Sequence, residues 1–101
     1  MSVKLTRTFT RPNTTVSFWA ASPETRAAID AAYVATGKLL SVTRNVPAEG
    51  DLTQVVEYVF ASVEALDEFA TDPALFAVVQ ERDTYNEANG ITNSHVVEQL
   101  S

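Results

Sequence analysis

The sequence predicts an α+β fold whose elements follow one another as strand, helix, strand, strand, helix, strand. Three observations carry that prediction. Gly37 and Gly90 each close a helix-like run, while Gly50 lies between two strand-like runs. Ser22-Pro23 and Asp72-Pro73 are helix-start signals, a capping side chain followed by a proline at a position that needs no N–H. The intervals between these signals carry short apolar runs with the period-two alternation of half-buried strands. With 101 residues there is material for one core, so one domain is expected over residues 1–101.

Val3, Leu5 and Phe9 alternate with Lys4, Thr6 and Thr8 and read as the first strand. Arg11-Pro12-Asn13-Thr14-Thr15 breaks the alternation and reads as a loop. Val16, Phe18 and Trp19 follow, where the loop enters the first helix. The alanine-rich run from Thr25 to Thr36 has high helix propensity, with Ile29, Ala32 and Tyr33 expected on its buried stripe. Gly37 can end it in the left-handed conformation. Leu39–Val46 and Leu52–Phe60 are the second and third strands, joined by the loop Pro47-Ala48-Glu49-Gly50-Asp51. That loop sets Val46 opposite Leu52, Arg44 opposite Gln54, Val42 opposite Val56 and Leu40 opposite Tyr58. Ser62 caps a short helix carrying Leu66, Phe69 and Ala70, and Asp72-Pro73 restarts it. Leu75, Phe76 and Val79 continue the apolar stripe up to Asn89-Gly90, and Ile91–Leu100 is the last strand. This βαββαβ order is the ferredoxin-like pattern, a four-stranded antiparallel sheet with both helices on one face.

The formal charge of −6 opposes binding to nucleic acid, whose phosphates would be repelled. It also disfavours anionic membrane surfaces. No apolar run approaches the roughly 20 residues of a membrane helix. Met1–Thr10 lacks a signal-peptide core, and there is no cysteine for disulfide or thiolate chemistry, so a cytoplasmic protein is expected.

Helices on one face leave the other face of the sheet bare, an area of roughly 400 Å² from ordinary strand spacing and length. One face carries Leu5, Arg7, Phe9, Leu40, Val42, Arg44, Val46, Gln54, Val56, Tyr58, Phe60, His95 and Val97. The other carries Lys4, Thr6, Thr8, Leu39, Ser41, Thr43, Val55, Glu57, Val59, Ser94, Val96 and Glu98. Neither is the dense Lys/Glu surface of a freely solvated sheet. The first is richer in apolar residues, which favours it as the helix-packed face without deciding the matter. A second copy is the simplest cover for the bare face, so a homodimer is expected.

Tyr58-Val59-Phe60-Ala61-Ser62-Val63-Glu64-Ala65-Leu66, followed by Phe69 and Asp72-Pro73, resembles a strand-to-helix passage of the dimeric α/β-barrel superfamily. That group includes antibiotic-biosynthesis monooxygenase-like, EthD-like and stress-response barrel domains. The resemblance covers the whole chain in element order. It implies two sheets packed face to face, with a small-molecule cavity between sheet and helices. The haem-degrading members use a histidine on the second helix and an asparagine on the first strand. This chain has neither, which argues against haem chemistry. The cofactor-free monooxygenases use Trp, Asn, Tyr and Arg in the cavity, types that Trp19, Asn13, Tyr58 and Arg44 supply.

Among single residues, His95 is the only histidine and could carry a proton beside Arg7 and Tyr58, against the plainer alternative of a structural or exposed histidine. Arg7 and Arg44 sit between apolar strand neighbours and need an anion, backbone carbonyls or a route to water. Trp19 can line a cavity entrance or pack under its loop. Asp83 and Glu87, four residues apart, offer two oxygens to a hard cation or simply a solvated acidic face. One histidine and no cysteine argue against a transition-metal site. Asn13-Thr14-Thr15 matches a glycosylation sequon, which has no consequence in a cytoplasmic chain. There is no P-loop, dinucleotide fingerprint, nucleophile elbow or zinc-protease motif, and no cofactor is expected.

The first expectation is therefore a homodimeric module that binds a small, mostly apolar or amphipathic organic molecule. Leu5, Phe9, Val42, Val56 and Phe60 would line its cavity, with Arg7 or Arg44 at an anionic end. A cofactor-independent monooxygenase, with Tyr58, His95 and Trp19 orienting the substrate, is the second. A ligand-free interaction or stress-response protein is the third.

Overall fold

The computed structural model describes residues 1–45 and 47–100. Four strands, β1 (Val3–Thr10), β2 (Leu39–Arg44), β3 (Thr53–Phe60) and β4 (Thr92–Gln99), form an antiparallel sheet in the order β2-β3-β1-β4. Helices α1 (Pro23–Ile29), α2 (Val63–Ala70) and α3 (Pro73–Asn89) connect them, α1 running on into a π-helical turn over Asp30–Val34. This is the ferredoxin-like architecture expected from the element order.

The helix ends form where the capping chemistry directs them. Ser22 and Ser62 accept the Thr25 and Ala65 N–H groups at 3.2 and 3.1 Å, and Asp72 accepts that of Ala74 at 2.8 Å. Each satisfies a first-turn donor that has no helical partner. At the other end of α3, Gly90 (φ 71°) lets Ile91 and Gly90 donate back to the Asn86 and Glu87 carbonyls. Gly37 (φ 77°) does the same for the first helix, with Lys38 and Gly37 donating to Tyr33 and Val34.

The core lies between the sheet and the helices. Val3, Leu5, Leu39 and Phe60 from the sheet pack with Tyr33 and Ala65, flanked by Ile29, Leu66, Phe69 and Leu75. The apolar-rich face is thus the helix-packed one. Arg7 and Arg44 lie on that face with the helices, and the other side of the sheet carries Lys4, Thr6, Thr8, Val55, Glu57 and Val59.

Several expectations need correction. The β2–β3 register is shifted by two residues: Arg44 pairs with Val56 and Val42 with Tyr58. The turn is centred later than expected, on Ala48–Asp51, where the Asp51 N–H donates to the Ala48 carbonyl and the Ala48 N–H to the Asp51 carboxylate. Val46, expected opposite Leu52, lies outside the described residues. A bulge between Leu39 and Ser41 exchanges the roles of the two leucines: Leu39 is buried and Leu40 exposed. One extra residue lets Leu39 and Val42 both reach the helix side. On the first helix Tyr33 is buried but Ala32 is exposed. On α3 the inward stripe is Leu75, Val78, Arg82, Tyr85, Asn86 and Asn89, whereas Phe76 and Val79 are exposed.

Candidate functional site

Cross-strand pairing aligns one row of residues over the helix-packed face. Arg44 on β2 pairs with Val56 on β3, Val56 with Arg7 on β1, and Arg7 with His95 on β4. In the same direction Gln54 pairs with Phe9 and Phe9 with Asn93. Above these rows α3 presents Arg82 and Asn86 where a helix in a simple two-layer fold would present apolar residues. The sheet and α3 therefore stay apart there, and two clefts open.

The first cleft encloses about 80 Å³ and opens to solvent at its mouth. Phe9, Phe18, Trp19, Val56 and Tyr58 give it an aromatic and aliphatic lining, and Arg26, Arg44, Arg82, Gln54 and Asn86 supply polar groups. The second is an open groove between α3 and β4, lined by Arg7, Arg82, Asp83, Asn86, Glu87, Asn93 and His95 with Ile91. Arg82 and Asn86 line both.

The loop before α1 places the aromatic wall, and Arg11 fixes that loop. Its guanidinium donates to the backbone carbonyls of Val16, Glu49 and Asp51, at 2.9 Å for Val16, and lies 4.9 Å from the Phe18 ring centre. Tyr85 on α3 donates to the Ser17 carbonyl at 2.6 Å. Loop, hairpin turn and α3 are thereby tied together around Phe18 and Trp19. Tyr58 is held from behind by Phe60 and Phe69, at ring-centre distances of 6.3 and 5.8 Å. Arg82 lies over the Phe9 ring at 5.7 Å.

The electrostatics are inverted relative to the chain as a whole. A protein of net charge −6 places four of its five arginines, Arg7, Arg26, Arg44 and Arg82, along these two clefts. Among the described residues no carboxylate lines the first. The ion pairs among the described residues are Lys4–Glu98, Lys38–Glu68 and Arg82–Asp83, which leave Arg7, Arg26 and Arg44 unpaired with acids. Burial, and after it the nearby Arg82 charge, lowers the pKa of Arg7 below the usual arginine value. Asn86 is 3% exposed, and its Nδ2 has no hydrogen-bond partner among the described residues.

The residues singled out from sequence are therefore divided. Phe9, Trp19, Arg44, Val56 and Tyr58 meet in the first cleft. Arg7 and His95 lie in the adjoining groove. Phe60 and Leu5 are core residues, and Val42 packs against that core. Asp83 and Glu87 line the groove, but among the described residues no group of three His, Cys, Asp or Glu side chains is placed to hold a metal ion. No described helix is long and apolar enough to cross a membrane. Arg26, Arg82 and Asn86 had escaped the sequence reading. For Arg82 and Asn86 the legible signal is the α3 stripe itself, on which they follow Leu75 and Val78 at the three- and four-residue spacings of a buried face.

No family model and no curated protein matches the chain by sequence. Solved structures do match its fold. SnoaB, a cofactor-independent oxygenase from Streptomyces nogalater, superposes with a TM-score of 0.60 at 18% identity, covering 99% of this chain and 93% of that one. A proposed antibiotic biosynthesis monooxygenase from Deinococcus radiodurans gives 0.57 at 11% identity, covering 98% and 92%. At such identities the likeness is one of backbone architecture, and one architecture hosts many activities. The chain thus has the ferredoxin-like fold seen in these two structures.

Proposed function

We propose that this protein binds a small, mostly apolar organic anion in the first cleft, between the sheet and α3. The observation that carries this reading is an aromatic cavity whose only charged lining groups among the described residues are Arg26, Arg44 and Arg82, in a chain that is otherwise acidic. Apolar walls with a few convergent polar groups are the common form of a small-molecule site. Arg26 and Arg44, guanidinium groups without carboxylate partners among the described residues, favour an anion at its mouth. Trp19 is the only tryptophan and lines the cleft, so its fluorescence reports occupancy directly. Aromatic carboxylates should quench or shift that emission, and their neutral amides should bind more weakly. Arg44→Met should weaken carboxylate binding about tenfold, the size of a lost charge-assisted hydrogen bond. Equal affinity for acid and amide would remove the anionic end from the proposal.

A second reading is a cofactor-independent oxygenase. It is favoured by the packing of Trp19 and Tyr58 beside Arg82 and Asn86 in one partly enclosed cleft, and by the fold shared with SnoaB. Oxygen uptake over a panel of phenols and quinols tests it, and silence across the panel leaves binding alone. In either reading the protein acts as a homodimer through the sheet face that carries no helices.

A further inference from the structure

The binding reading above accounts for the first cleft but not for the groove beyond Arg82. Arg7 stands there on the helix-packed face with no ion-pair partner among the described residues. Asn86 lines the same groove, and its Nδ2 is buried with no acceptor among the described residues. A buried amide N–H left unpaired is costly, and a bound oxygen would satisfy it. Its backbone is fixed, because the Asn86 carbonyl closes the C-terminal cap of α3 by accepting the Ile91 N–H at 2.9 Å. Asp83 and Glu87 also line the groove, but Asp83 is engaged by Arg82 at 3.2 Å and Glu87 is exposed. Neither pairs with Arg7.

Arg44 and Arg7 belong to one cross-strand row with Val56 between them. Two strand spacings separate their Cα atoms by about 10 Å. Arg44 faces the first cleft and Arg7 the second, while Arg82 and Asn86 are shared. We infer that the two clefts are one extended site for an organic dianion. Its apolar body lies over Val56, one acidic group at Arg44 and the other at Arg7 and the Asn86 Nδ2. The inference rests on the binding reading and extends it to the substrate class, an elongated molecule with an acid at each end.

Calorimetric titration of the intact chain with biphenyl para,para′-dicarboxylate and with biphenyl para-carboxylate tests it. The dicarboxylate should bind at least tenfold more tightly, well beyond the twofold statistical advantage of having two equivalent ends. Arg7→Met and Asn86→Leu should each collapse that preference toward twofold. Asn86→Leu should also raise the melting temperature of the ligand-free protein, because it removes an unsatisfied buried donor, and a purely structural asparagine would have the opposite effect. If Asn86→Leu does not fold, Arg7→Met decides alone. A wild-type ratio near two, or a preference that survives in the variants, overturns the second subsite and leaves the first intact. If neither acid binds the folded protein, the binding reading fails and this inference with it.

Discussion

The Tyr33 hydroxyl donates to the Asp72 carboxylate at 2.5 Å, and the same carboxylate caps α3 through the Ala74 N–H. One acidic residue therefore joins the first helix to the start of the last. Burial, and then the bond to Asp72, raises the Tyr33 pKa well above 10, while the bond from Tyr33, and then that from Ala74, holds Asp72 below its ordinary 3.8. The signs follow. A raised tyrosine pKa contributes stability that is whole below about pH 10 and lost above it; a depressed aspartate contributes stability that is present above about pH 4 and lost as pH falls below the folded value. Melting temperature should therefore hold a plateau between those limits and fall on both sides. Tyr33→Phe should lower the plateau by about 1 kcal/mol of stability and flatten the alkaline fall. An unchanged alkaline limb in Tyr33→Phe, followed by circular dichroism, would place the titrating group elsewhere. The capping role of Asp72 was readable from Asp72-Pro73; its partner across 39 residues was not, because nothing local marks a tyrosine hydroxyl that finds a distant carboxylate. Arg82 and Asn86 were opaque for a related reason. A polar residue on a helix reads as solvent-facing until the sheet beneath it is known to carry an arginine and a gap.

At the scale of elements, the starts and stops were the legible part. Ser22, Ser62 and Asp72 cap helices through their own side chains, and Gly37 and Gly90 take the left-handed conformation that other residues resist. These are local effects, complete within a few residues of sequence. The β-bulge at Leu40 and the π-helical turn at Asp30–Val34 were not legible, since each is an extra residue accommodated so that a distant side chain reaches the core. The bulge delivers Leu39 to Phe60, and the π-helical turn carries the buried Tyr33. Local caps have local energies. Gly37→Ala and Gly90→Ala should each cost about 1 kcal/mol in urea unfolding, because a Cβ in the left-handed region is strained even where space is available. Among the described residues the added Cβ would meet nothing within 4 Å at Gly37, and at Gly90 its nearest neighbour would be the Pro12 ring, at 3.4 Å. Similar losses at the two sites would assign the cost to backbone conformation, whereas a much larger loss at Gly90 would assign it to crowding against Pro12. Ser62→Ala should cost a comparable amount by freeing the Ala65 N–H.

For the whole molecule the unresolved surface is the side of the sheet opposite the helices. Thr6, Glu57 and Thr43 form one cross-strand row there, and Ser94, Thr8 and Val55 another. Polar and apolar residues alternate, with Lys4 and Glu98 pairing at 3.8 Å. The face is too apolar for a freely solvated sheet and too polar for a helix layer, whereas a two-fold interface lets it meet a copy of itself. Two such faces of roughly 400 Å² each bury about 800 Å² in total, below the standard size of a stable protein–protein interface. The expected dimer is thus of micromolar strength, with a melting temperature that rises with protein concentration as mass action requires. Val55→Asp combined with Val59→Asp places two charges of one sign in each copy at the centre of that face, and neither valine belongs to the core beneath the helices. Sedimentation velocity should show the wild-type chain passing from monomer to dimer across the micromolar range, and the double variant monomeric throughout. The variant should also lose the concentration dependence of its melting temperature while keeping its far-ultraviolet spectrum. A wild-type chain that stays monomeric at hundreds of micromolar would mean that the mixed face is solvated in its own right. In that case the cleft on the other side must work within a single copy.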